Sequence, residues 1–161
     1  MAGKSKAGKR YVFFVSHSTK DLKDDVGEVG KILDTCKIQN FVADRDAPVG
    51  KCLPDEVKKA IIESEVFLVF LTKNSKSSPW VNQEIGYALG RDLPVIPLRK
   101  GKVVIKGLIE STKYVQIQEN PLKTMTEVFS KLGKISLSKT AEAAIGAVVG
   151  ALELKDKYGG P

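Results

Sequence analysis

The chain has 161 residues, 42% of them hydrophobic, which suits one domain with a sizeable core. Its formal net charge is +7, but Lys4, Lys6, Lys9 and Arg10 crowd one Gly- and Ala-rich end, so the excess reads as a flexible basic tail over residues 1–9 rather than a nucleic-acid surface. Two separated cysteines, Cys36 and Cys52, and the single histidine, His17, exclude a disulfide framework and a zinc site built by the protein.

Tyr11-Val-Phe-Phe-Val15 is a continuous apolar run of β-formers, as expected of a strand buried on both faces. It breaks at the polar loop Ser16-His-Ser-Thr-Lys-Asp21. From Leu22 to Cys36 the apolar residues Val26, Val29, Ile32 and Leu33 recur at helical spacing, with acids early. Phe41–Ala43 is a second short strand, leading into a loop that holds Pro48 and Gly50, both turn formers. Leu53–Ser64 reads as a helix and Val66–Leu71 as the strongest strand, the centre of the sheet. A polar loop over Lys73–Ser78 follows, then a helix over 79–90. Pro94–Leu98 is a fourth strand, Lys100–Ser111 is irregular, Tyr114–Ile117 is a fifth strand with edge-like alternation, and Pro121–Leu132 is a helix. Strand alternating with helix predicts a parallel sheet with helices on both faces, whose ligands bind at the carboxyl ends of the strands.

The helix over 79–90 carries the most chemistry. Ser78 suits its N-cap and Pro79 its first position, where a missing N–H costs nothing. Trp80 and Glu84 are four apart and so share one side of it. An aromatic ring beside a carboxylate serves a planar cationic ligand ring, and it raises the acid's pKa by excluding water. The competing reading makes Trp80 a plug at the core's edge and Glu84 an ordinary solvated helix residue; both readings place Glu84 on an open helix face.

Three stretches in this order resemble the Toll/interleukin-1 receptor (TIR) domain over about residues 10–132. Tyr11-Val-Phe-Phe-Val-Ser-His-Ser18 with Asp21 is similar to the family's first box. Phe41-Val-Ala-Asp-Arg-Asp-Ala-Pro-Val-Gly-Lys51 looks like the second box. Ser78-Pro-Trp-Val-Asn-Gln-Glu-Ile85 is similar to the segment carrying Trp and Glu in NAD-cleaving members. The resemblance implies an α/β flavodoxin-like three-layer sandwich with a five-stranded parallel sheet of order 2-1-3-4-5, in a TIR domain over 10–135. Composition and spacing add the basic tail over 1–9 before it and, over 136–161, an extra C-terminal helical extension and tail that the family's boxes do not cover.

The resemblance also implies NAD+ hydrolase or ADP-ribosyl cyclase chemistry, a signal in immunity or defence, with Glu84 catalytic. It places Ser16, His17, Ser18, Asp46, Gly50, Lys51 and Trp80 around the substrate. Nicotinamide leaves NAD as an already good leaving group, so a single carboxylate by the ribose suffices, without a metal or other cofactor. Trp80 would wall the nicotinamide, Gly50 would let backbone approach the ligand, and Lys51 would offset phosphate charge. Asp44 and Asp46 also read as braces of their loop, and His17 as a brace of its own. The alternative is a non-catalytic TIR–TIR interaction module. A nucleoside deoxyribosyltransferase-like enzyme fits the second-box loop less well, and a two-component receiver is excluded because Thr72 follows the third strand where a phosphoacceptor Asp is required.

Expected partners are NAD+ as substrate and further TIR copies, with no specific nucleic acid and no membrane. With no signal-peptide core and no membrane-length apolar run, a cytoplasmic location is expected. The segment Ser138–Lys155 has a small-residue apolar face of Ala141, Ala144, Ile145, Val148, Val149 and Leu152, with Gly146 and Gly150 spaced for close helix approach. It reads as a helix docking on the domain's own flank, with self-association as the alternative.

Overall fold

The computed structural model describes residues 9–42 and 53–158, with side chains described to residue 150. Strands β1 (Tyr11–Ser16), β2 (Asn40–Val42), β3 (Ser64–Leu71), β4 (Val95–Arg99) and β5 (Val115–Gln116) form an all-parallel sheet in the order β2-β1-β3-β4-β5. The predicted sheet order is therefore the observed one. Helices α1 (Asp25–Thr35), α2 (Asp55–Ile62), α3 (Lys73–Lys76), α4 (Pro79–Gly90), α5 (Pro121–Leu132) and α6 (Lys139–Tyr158) are placed around it.

The period of two along each strand divides the core into two layers. Phe13 and Val15 of β1, Leu68 and Phe70 of β3 and Leu98 of β4 face one side, where Val29, Leu33, Val128 and Phe129 of α1 and α5 cover them. Phe14, Phe67 and Val69 face the other side, against Val57 and Ile61 of α2 and Val81, Ile85 and Ala88 of α4. The rings of Phe14 and Phe67 stack there at 5.4 Å between centroids. Ser16 shares the parity of Phe14, so its side chain faces the α2/α4 layer. Between β1 and β3 the chain reverses its direction of winding, and ligands of such sheets bind beyond the carboxyl ends of the strands at that switch point.

Boundaries differ from expectation where tertiary partners intervene. The helix expected from Leu22 begins at Asp25, after a 3-10 turn over Thr19–Asp21. Gly27 is needed in α1's first turn, since a Cβ there would stand 2.7 Å from the Leu22 carbonyl oxygen. β3 begins at Ser64 rather than Val66, because both polar residues at its start are satisfied. Ser64 Oγ donates to the Ala60 carbonyl at 2.7 Å, and Glu65 accepts from Ser138. The expected loop over Lys73–Ser78 contains the single turn α3. Its cap is reciprocal: Thr72 Oγ1 accepts from the Ser75 N–H, and Ser75 Oγ accepts from the Thr72 N–H.

Helix α6 docks on the domain's own flank. Ala141 and Ile145 are buried, and Ala144, Val148 and Val149 pack against the α1/α5 layer. Its start is fastened by Glu65, which accepts from the Ser138 N–H at 2.5 Å and from Ser138 Oγ at 2.8 Å, while Ser138 Oγ accepts from the Ala141 N–H at 3.2 Å. The expectation for Gly146 and Gly150 is corrected. A Cβ at either would meet nothing within 4 Å, so neither glycine mediates the contact. No described helix is long and apolar enough to cross a membrane.

Candidate functional site

Helix α4 starts as its sequence requires, with Ser78 Oγ accepting the Val81 N–H at 3.4 Å and Pro79 in the first turn. The helical period then puts Val81, Glu84, Ile85 and Ala88 on the face that meets the sheet. Glu84 is 0% exposed, which overturns the open-face reading. A carboxylate so placed needs polar partners to offset lost hydration. Ser16, the last residue of β1, supplies one: its Oγ donates to Glu84 Oε1 at 2.7 Å. By composition a Glu belongs on a polar, outward position, whereas the strand end opposite α4 carries a hydroxyl at the right parity to receive it.

Trp80 lies one turn earlier, half-buried against the α2/α4 layer. The two residues therefore share a side of α4, with the indole nearer its N-terminus. His17 is 3% exposed, and its Nδ1 lies 2.8 Å from the Ser18 carbonyl oxygen. A carbonyl only accepts, so Nδ1 carries a proton and donates to it, which leaves Nε2 an acceptor whenever the ring is neutral. Among the described residues Nε2 has no hydrogen-bond partner. Ser18 caps the 3-10 turn, its Oγ accepting from the Lys20 N–H at 3.3 Å, so part of its capacity is structural. Asp44, Asp46, Val49, Gly50 and Lys51 lie outside the described residues.

Asp21 does more than its place in the first box suggests. It is buried and accepts from Thr72 Oγ1 at 2.6 Å and from Asn74 Nδ2 at 2.7 Å. These bonds tie the turn after β1 to the turn after β3, the two segments that lead to Ser16 and to α4. The spacing Thr72-x-x-Ser75 was the available signal for that second turn. Beside it, Lys100 Nζ lies 2.7 Å from Asp25, whose hydrogen bond holds the ammonium above the ordinary lysine value. Among the described residues no cluster of His, Cys, Asp or Glu has the arrangement to hold a metal ion.

The sequence profile of the TIR domain matches residues 13–132. This chain belongs to the TIR-domain family. The TIR fold is also what the solved structures share with it. One is the TIR domain of a Toll-related receptor from Hydra magnipapillata, 14% identical with a TM-score of 0.62 over 77% of this chain and 99% of that one. Another is a TIR-STING receptor from C. gigas solved with 2′,3′-cGAMP, 17% identical with a TM-score of 0.63 over 84% of this chain and 43% of that longer one. No curated protein sequence matches significantly. At these identities the likeness speaks for the TIR fold, and the chemistry rests on the residues themselves.

Proposed function

We propose that this TIR domain cleaves NAD+ at the bond between nicotinamide and ribose, releasing nicotinamide and either ADP-ribose or a cyclic isomer as a signal in immunity or defence. The observation that carries the reading is the Ser16–Glu84 hydrogen bond at 2.7 Å, at the carboxyl end of β1, one turn from Trp80. A carboxylate there accepts from the ribose hydroxyls and stabilises positive charge as it develops on the ribose carbon. The half-buried indole of Trp80 offers a face to the nicotinamide ring while it still carries its charge. His17 Nε2, a buried acceptor, suits a further hydroxyl of the substrate. Product analysis by chromatography tests this: nicotinamide and one ADP-ribosyl product, in equal amounts, support it.

A second reading, the pure interaction module, is favoured by one observation, the complete burial of Glu84. It predicts intact NAD+ after prolonged incubation, together with self-association. On the catalytic reading the same burial means that the site must open to admit ribose. Assembly is a natural source of that opening, since the second-box segment around Val49 has an apolar tip in sequence. Cleavage per molecule is therefore expected to fall on dilution, and Val49→Asp is expected to weaken self-association and cleavage together. A rate per molecule that stays constant across a wide dilution series contradicts the assembly requirement.

Ser16 is on this reading a positioning residue. Ser16→Ala removes a hydrogen bond to a charged group, an interaction on the order of 1.5–3 kcal/mol, so kcat is expected to fall about tenfold to a hundredfold. Ser16→Thr, which restores a hydroxyl, is expected to recover part of it. A Ser16→Ala protein with unchanged kcat shows that Glu84 is oriented without this bond.

A further inference from the structure

A separate cavity of about 700 Å³ opens beyond the carboxyl ends of β3 and β4, and Ser16, His17, Trp80 and Glu84 do not line it. Its rim combines the turn before α1, the α3 turn and the loop after β4. Four lysines line it, Lys73, Lys76, Lys100 and Lys102, against two acids, Asp21 and Asp24. Asp21 already accepts at both oxygens, from Thr72 and Asn74, and Lys100 leans on Asp25. Among the described residues Lys73, Lys76 and Lys102 make no ion pair. Gly101, with φ of +61°, forms the tight turn that sets Lys100 and Lys102 on either side of it. The loop then continues into Val103 and Val104, which also line the cavity, and Val104 is 55% exposed.

We propose that this cavity binds a nucleoside polyphosphate, with its phosphates on Lys73, Lys76 and Lys102 and its base against Val103 and Val104. Three ammonium groups gathered on one rim repel each other, and a multivalent anion relieves that repulsion. Lysine serves phosphate as a compact point charge on a flexible stem, which suits a rim of exposed side chains. The volume falls within the range of small-molecule sites, about 300–1,000 Å³, and exceeds what a bare phosphate fills. An exposed valine wall adds a reason for a ligand with a flat apolar part.

Calorimetric titration of the full chain with ATP, tripolyphosphate and adenosine tests the proposal. ATP is expected to bind once per chain, more weakly as salt is raised, with tripolyphosphate about tenfold weaker and adenosine alone not saturating. The combined change Lys73→Glu, Lys76→Glu and Lys102→Glu is expected to weaken ATP about tenfold or more, with an unchanged melting temperature because these side chains are exposed. Glu84→Gln is expected to leave ATP affinity as it is, which separates this cavity from the Ser16–Glu84 pair. Failure of ATP to saturate by about 1 mM, or unchanged affinity in the triple variant, overturns the proposal. Tripolyphosphate binding as tightly as ATP removes the base subsite and with it the nucleotide, and loss of ATP binding in Glu84→Gln moves the ligand to the other site.

Discussion

Glu84→Gln is expected to keep the fold and to lower NAD+ cleavage by about 10²–10³-fold, the scale of removing one preorganised electrostatic group. The amide matches the carboxylate in shape, and its oxygen still accepts from Ser16 Oγ, so the buried geometry is retained. What is lost is the negative charge that stabilises the developing ribose cation. Glu84→Ala is a different experiment. It leaves a hole beneath α4 and a buried Ser16 hydroxyl short of an acceptor, so stability is expected to fall by about 1–3 kcal/mol. For that reason the glutamine variant, with its melting temperature measured alongside, is the informative one. A well-folded Glu84→Gln protein with full cleavage removes the catalytic assignment.

Truncation after Leu137 is expected to cost about 3–6 kcal/mol, a large share of the total stability of an ordinary domain. The cut removes Ala141 and Ile145 from the core and uncovers the apolar surface of α1 and α5. It also takes away Ser138, leaving the buried Glu65 carboxylate at the start of β3 without the N–H and hydroxyl it accepts from. The melting temperature is therefore expected to drop, with the oligomeric state unchanged. Thermal melts and light scattering on the full-length and the cut chain check this. A preserved melting temperature with a shift from dimer to monomer would show that α6 holds a second copy rather than its own flank.

The sheet was legible because β1 and β3 carry continuous apolar runs, and the run over Val66–Leu71 falls in β3, the strand between β1 and β4. The start of α4 was legible too, since Ser78 and Pro79 act locally. What escaped the sequence depends on partners far along the chain. Glu65 looks too polar to begin a buried strand until Ser138, 73 residues away, satisfies it. Glu84 belongs on a polar face by composition, yet it turns inward because Ser16, 68 residues away, meets it there. Asp21 belongs to the same class: its partners Thr72 and Asn74 sit on another strand's end. In the site as in the fold, local rules placed the elements and nonlocal hydrogen bonds decided which polar side chains went inside.

Free nicotinamide, measured by chromatography after mixing the full-length protein with NAD+ at concentrations high enough for self-association, decides whether Glu84 cleaves NAD+. Steady release by the unaltered protein is expected, and release about 10²–10³-fold slower with Glu84→Gln at an equal melting temperature. No release by the unaltered protein under assembling conditions, or equal release by both, would contradict a catalytic Glu84.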